Sequence, residues 1–169
     1  MIITILCVDN KWGIGKRNGL LFSLSKDMKF FRETTKGHVV ALGENTLLSF
    51  PNSKPLKNRE HIVLSQDETH NYEGVDNVHD FNEFLARIAK KATNEDVYII
   101  GGASIYRQTL PYVNKVLLTK VDADGEAELF FPNLDNDPNF VLEKESEPEE
   151  DNGYMIKFCT YINKNPKKI

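Results

Sequence analysis

Apolar and polar positions along this chain alternate between two periods. Residues 2–8, IITILCV, form an apolar run of strand length, as for a strand covered on both faces. HVVALG, HIVLS, VYIIGG and NKVLLTKVDA read the same way, and VDNVH is a weaker candidate strand. Between them lie segments with helical spacing. In DFNEFLARIAKKA, the residues Phe81, Phe84, Leu85, Ile88 and Ala92 share one face. ENTLLSF and ASIYRQTL read as short helices, each opening just after a glycine. Near the end, FVLEKES and YMIKFCTYINK flank the acidic turn EPEEDNG and predict a β-hairpin, its tip a solvated loop with no assigned role. Strands alternating with helices imply an α/β fold. The expectation is one domain over residues 1–169, with a mainly parallel central sheet of about eight strands, flanking helices and a C-terminal antiparallel hairpin. Ligands of such sheets bind outside the carboxyl ends of the strands.

One helical segment breaks its own pattern. From about Leu24, the residues Leu24, Met28, Phe30, Phe31, Thr34 and Thr35 gather on one side, while Lys26, Lys29, Arg32, Glu33 and Lys36 take the other. Asp27 sits near the middle of the apolar side, where a carboxylate is normally excluded. Two readings follow. With Ser25 as N-cap, Asp27 lies in the first turn and is stabilised by free N–H groups and the helix dipole. Alternatively, Asp27 faces a pocket whose ligand needs an acid.

Composition narrows the function classes. The chain is 40% hydrophobic and 27% charged, enough for a sizeable core and too apolar for disorder. A net charge of −4 argues against nucleic acid or an anionic membrane as partner. No run is long enough to span a bilayer, and the opening MIITILCVDN reads as a strand, not a leader. Cys7 and Cys159 lie in strand-like segments and are expected as buried thiols of a reducing cytoplasm. His38, His61, His70 and His79 are scattered, so no metal site is expected.

Chemistry is suggested by two turns. VYIIGGASIY is a strand, a Gly-Gly turn and a helix start, and GENT after HVVAL repeats that arrangement. Glycine lets a backbone approach a phosphate, and a helix N-terminus favours an anion. Neither turn is a full GxGxxG or a P-loop. Together, on one sheet edge, they would hold the two ends of a dinucleotide.

The pieces IITILCV, WGIGKRNGLLF, SKDMKFF, LGENT, PLKNREHIVLS, VYIIGGASIY, LLTKVDA and LFFP occur in the order and spacing of the dihydrofolate reductase family, which the sequence resembles from end to end. The resemblance implies an enzyme that reduces 7,8-dihydrofolate to tetrahydrofolate with NADPH, supporting one-carbon and thymidylate metabolism. It also implies a small-molecule substrate, antifolate binding, a monomer and a cytoplasmic location.

Carried over position by position, Asp27 matches the acid that binds the pterin's amino group and ring N–H, and Thr119 matches the threonine supporting that acid. Ile5, Cys7 and Ile100 match pterin-walling strand positions, and Met28 and Phe31 the helix positions beside the ligand. Phe50 and Leu56 would enclose the aminobenzoyl ring, and Arg59 would grip the glutamate α-carboxylate. For the cofactor, Ile14, Gly15, Asn18, Gly19 and Leu20 match the family's closing loop, which Cys7 would adjoin. Gly43, Glu44, Asn45 and Thr46 form one phosphate turn, with Leu64, Ser65, Gln66 and His79 nearby. Ile100, Gly101, Gly102, Ala103, Ser104 and Ile105 form the other, with Gly101–Gly102 a cis pair and Tyr106 beside the nicotinamide.

Several positions depart from the family pattern. Leu21-Phe22 replaces the usual Pro-Trp, and Phe22 cannot donate an indole hydrogen bond to an active-site water, although Phe22 and Leu20 remain candidates at the reacting centre. Glu44 and Ser104 stand where arginines are usual, which compresses the expected preference for NADPH and leaves NADH tolerated. Glu128 replaces the aspartate that tethers the loop. The alternatives are a pyrimidine reductase of riboflavin synthesis on the same fold, which would not need Asp27 together with Arg59, and a non-catalytic NADP- or folate-binding protein.

Overall fold

The computed structural model describes residues 1–16 and 19–169. β-Branched and apolar residues make β1 (Ile2–Val8) a strand buried along almost its whole length. Its neighbours are β6 (Val97–Ile99) and β7 (Lys115–Val121), both parallel to it. Beyond β6 lie β3 (Val39–Gly43), β4 (Glu60–Leu64) and β5 (Asp76–Val78), also parallel. The parallel ladder leaves the carboxyl ends of these strands on one edge. On the other side of β7 the long β11 (Tyr154–Asn163) pairs antiparallel with it. β9 (Phe140–Glu145) and β10 (Glu149–Asp151) both add to β11, giving nine strands. The tight turn before β11 is Asn152-Gly153, both at positive φ, as a two-residue hairpin of this kind requires.

Period-two alternation explains why both sheet faces are covered. Val39 and Ala41 join Ile62, Leu64 and Ile99 in one core, while Val40 and Leu42 join Ile3, Ile5 and Val63 in the other. The first core is closed by α3 (Phe81–Ala92), which buries Phe84, Leu85 and Ile88 and starts on Asp80, whose carboxylate accepts from the Glu83 N–H. α4 (Ala103–Thr109) adds Ile105 and Tyr106 to it. The second core receives Phe30 and Phe31 from α1 (Ser25–Thr35) and Leu47 from α2 (Glu44–Ser49).

Two local expectations are corrected. Ser25 is the first helical residue of α1 and not its cap; the cap position is Leu24, which has no side-chain acceptor to offer. The acidic turn is no solvated loop throughout, since it contains β10 and buries Asp151 at 3% exposure. A third feature had no strong sequence signal: β2 (Gly13–Gly15) pairs with β8 (Leu129–Phe130) in a separate two-stranded ribbon.

That ribbon approaches closely enough to demand glycine at position 13. A Cβ there would lie 2.3 Å from Ala127 Cβ and 2.9 Å from each Asp9 carboxylate oxygen. The Asp9 carboxylate itself is buried and accepts from the main-chain N–H groups of Lys11, Gly13 and Gly125. Gly13→Ala is therefore expected to cost about 1–3 kcal/mol of stability by overpacking. Urea denaturation measures it, and an unchanged midpoint would show that the ribbon yields freely.

Candidate active site

Register places the chemistry. Cys7 of β1 and Thr119 of β7 are paired residues, so their side chains leave the sheet on the same face. α1 crosses above them. Phe30 packs on Phe158, the β11 partner of Thr119, with ring centroids 4.9 Å apart. One turn earlier, Asp27 stands over Thr119, whose hydroxyl donates to its Oδ1 at 2.6 Å. The Cys7 thiol also donates to Asp27. Burial raises the Asp27 pKa above the usual carboxylate range; the Thr119 hydrogen bond opposes that, and the negative charge of Asp151 adds to it. The same surroundings, burial first and then Asp27, push the Cys7 thiol far up, so it acts as a neutral donor.

Beside this acid lies the Gly-Gly turn. Gly101–Gly102 is a cis peptide, as the family resemblance implied. The Gly101 carbonyl accepts from the Gly43 N–H at 2.9 Å, which ties the two glycine turns together. A Cβ on Gly101 would meet the Tyr106 ring at 3.4 Å, and one on Gly102 would meet Thr46 Oγ1 at 3.5 Å. Ile105 packs under Gly43. The starts of α2 and α4 are thus side by side over a glycine floor, tightest at Gly43, where a Cβ would meet Ile105 at 3.1 Å. Tyr106 is buried and donates to the Ile5 carbonyl at 3.0 Å. Ile100 is buried, Ala103 is half-buried, and Ser104 is exposed with its hydroxyl accepting from Gln108.

At position 44 the acid is held by neighbouring side chains. The Glu44 carboxylate accepts from Tyr72 Oη at 2.5 Å and Ser65 Oγ at 3.0 Å, and meets His70 Nδ1 at 2.8 Å. These contacts, Tyr72 first, hold its pKa below the usual value, and the Tyr72 phenol is pushed up to about 12. Ser65 follows buried Leu64, while Gln66 and Asn45 are exposed and Thr46 is half-buried. His79 has both ring nitrogens engaged, at the Ser65 carbonyl and at Asn71. Tyr72 and His70 were not anticipated. Their loop carries no periodicity, and they reach Glu44 from 28 and 26 residues away.

A third cluster lies past the end of α1. Arg59 donates through Nε to Thr35 Oγ1, through one terminal nitrogen to the Lys57 carbonyl and through the other to the Arg32 carbonyl. A guanidinium has five N–H groups, so one remains on each terminal nitrogen, the fork that matches a carboxylate. His61, 1% exposed, accepts the Leu56 N–H at Nε2 and therefore carries its proton on Nδ1, facing the Arg59 carbonyl. It holds Leu56 and Arg59 in one frame, with Phe50 edge-on to its ring. Thr35 and His61 are supports that sequence reasoning missed, since a threonine on an apolar face and a lone histidine look like ordinary core residues.

The loop candidates are more dispersed. Ile14 and Gly15 lie in β2, and Gly15 accepts the Glu128 N–H. Gly19 pairs with Lys16, and Leu20 is 80% exposed. Asn18 lies outside the described residues. Leu21 and Phe22 abut Gly125, where an added Cβ would meet each at 3.0 Å, and Phe22 is edge-on to Tyr154. Met28 is 56% exposed and Phe31 is half-buried. A groove of about 700 Å³ lined by Phe30, Thr34, Glu143 and Phe158 contains none of the predicted residues. Among the described residues, no cluster suits a metal ion and no helix is long and apolar enough to cross a membrane.

The family model described as dihydrofolate reductase matches residues 1–163. Dihydrofolate reductase of Staphylococcus haemolyticus is 33% identical over 162 residues, covering 95% of this chain and 94% of that protein. The Bacillus subtilis (strain 168) enzyme is 30% identical over 169 residues, covering 99% and 98%. Dihydrofolate reductase from Enterococcus faecalis, solved with NADP(H) and RAB-propyl, superimposes with a TM-score of 0.86 at 28% identity, over 98% of this chain and 97% of that one. With the acid, the paired glycine turns and the sheet order all in place, the chain belongs to the dihydrofolate reductase family of oxidoreductases.

Proposed function

We propose that this chain reduces 7,8-dihydrofolate to 5,6,7,8-tetrahydrofolate with NADPH, and that Asp27 binds the pterin. The observation that carries the reading is Asp27 itself: a half-buried acid, fixed by Thr119 and Cys7, with no cation beside it among the described residues. Such a group is tolerated when ligand donors complete its hydrogen bonding. The pterin's amino group and ring N–H are donors of the right kind. The residues also fit a dinucleotide, because the glycine floor between the starts of α2 and α4 leaves main chain open to an anion. Bound there, NADPH supplies the hydride that C6 of the pterin receives.

Asp27 grips the pyrimidine edge of the pterin, across the ring system from N5. Its part in delivering the N5 proton is therefore indirect: it orients the ring, favours protonation electrostatically and organises a water. Phe22 shields that water without donating to it. Arg59 receives the glutamate α-carboxylate on its two free N–H groups, and Leu56 and Phe50 enclose the aminobenzoyl ring. The product supports one-carbon transfer, and the enzyme works as a cytoplasmic monomer. Loss of NADPH absorbance in the presence of dihydrofolate tests the whole reading. No turnover would favour a binding protein, and turnover of a pyrimidine substrate alone would favour the riboflavin-pathway alternative.

Cofactor choice is relaxed. The acidic Glu44 stands at the turn where a ribose 2′-phosphate would arrive, and it already occupies the donors of Ser65, Tyr72 and His70. NADPH remains the default, with a preference over NADH of about 100-fold or less in kcat/KM. Glu44→Arg is expected to add about 1.5–3 kcal/mol in favour of NADPH. Steady-state kinetics with both cofactors checks this; a wild-type preference above about 1,000-fold, unmoved by the substitution, would make Glu44 a bystander.

A further inference from the structure

The start of α1 lacks a cap of its own, yet its first N–H groups are not left to water. Asp151, at the end of β10, supplies the acceptor from 125 residues away. Its Oδ2 accepts from the Lys26 N–H at 2.9 Å and the Asp27 N–H at 3.4 Å, and its Oδ1 from the Ser25 hydroxyl at 3.3 Å. A carboxylate at a helix N-terminus satisfies orphan donors and complements the dipole. The rest of the acidic turn grips the same segment. Asn152 Nδ2 donates to the Ser23 carbonyl at 3.0 Å, Lys26 Nζ donates to the Glu150 carbonyl at 2.7 Å, and Tyr154 meets Phe22 at 4.8 Å between ring centroids.

We propose that Asp151 is a positioning residue for Asp27: it fixes the first turn of α1 over the sheet and sets a second negative charge beside the pterin-binding acid. The proposal rests on the reading of Asp27 given above. Asp151 touches no ligand in this scheme; its effect travels through the main chain of Lys26 and Asp27 and through the field at the Asp27 carboxyl. The other groups facing that carboxyl are the Cys7 thiol from β1 and the Thr119 hydroxyl from β7, and the buried Tyr106 phenol of α4 feels its charge. Both hydrogen bonds favour the ionised acid, whereas burial and Asp151 favour the protonated one. Asp151 is thus the one charged group in the set that holds a proton on Asp27.

Two substitutions separate position from charge. Asp151→Asn keeps an oxygen acceptor for the helix N–H groups and removes the charge, and Asp151→Ala removes both. The Asp27 carboxyl is followed by carbon-13 NMR in the free enzyme, assigned by its loss in Asp27→Asn, alongside thermal stability and the pH dependence of turnover. In Asp151→Asn the Asp27 midpoint is expected to fall by about half to one pH unit. The acid limb of kcat/KM, where protonation of Asp27 weakens its hold on the pterin, should move the same way, with kcat near neutral pH nearly retained. Asp151→Ala should show the same shift and, in addition, lose about tenfold or more in kcat at every pH, because the acid is no longer held in place. Lower melting temperatures in both variants, with the Asp27 midpoint and the pH profile unmoved, would overturn the proposal and leave Asp151 a cap of the fold alone. If the midpoint moves but the wild type turns over no dihydrofolate, the coupling stands and the functional reading fails.

Discussion

Asp27→Asn is expected to reduce turnover of dihydrofolate by about 10²–10⁴-fold near neutral pH, the range of a lost acid–base group. Asparagine still accepts from Thr119, so the pocket keeps its shape. It cannot bind two pterin donors with a negative charge, nor bias N5 toward protonation. Part of the activity should return as the pH falls, because solvent then protonates the substrate directly. The free enzyme should respond in the opposite sense. Burial raises the Asp27 pKa in the folded state, so the native fold holds this proton more tightly than the unfolded chain does. The stability this carries is present in full below the unfolded carboxyl's pKa and is lost as pH rises through the folded value. At neutral pH the ionised acid is a net cost, and Asp27→Asn should melt higher than wild type. The gap should close as pH falls toward about 4. A variant with near wild-type rate at neutral pH would remove Asp27 from the chemistry.

Arg59→Ala is the second large effect. Losing a charge-assisted pair costs about 1.5–3 kcal/mol, roughly one to two decades of affinity. Folates and glutamate-bearing antifolates should weaken by that amount, while diaminopyrimidines without the glutamate bind almost as before. The arginine also holds the Arg32 and Lys57 carbonyls and the Thr35 hydroxyl, so a structural loss is a real competitor. Binding isotherms for the two inhibitor types separate the cases: equal losses for both would make Arg59 a brace for α1 and not a ligand contact.

The amino-acid sequence alone determined the order of the main strands and helices, because runs such as IITILCV and the wheel of DFNEFLARIAKKA state their burial through local periodicity. It also singled out Asp27, since a charge in an apolar stripe is a local anomaly, and it located both glycine turns. The ordered set of short pieces was specific enough to point to the family. Tertiary structure decided what holds those groups. Asp151 caps a helix 125 residues earlier, Tyr72 and His70 take the Glu44 carboxylate, Thr35 orients Arg59, and His61 ties Leu56 to Arg59. None of these partners leaves a periodic mark. Each is an ordinary acid, hydroxyl or imidazole in a turn or on an apolar face, and its role exists only once strand pairing sets β10 beside the start of α1 and β4 beside its end. A cap given by a neighbour in sequence can be read from residue order; one delivered across the sheet depends on distances that only folding creates.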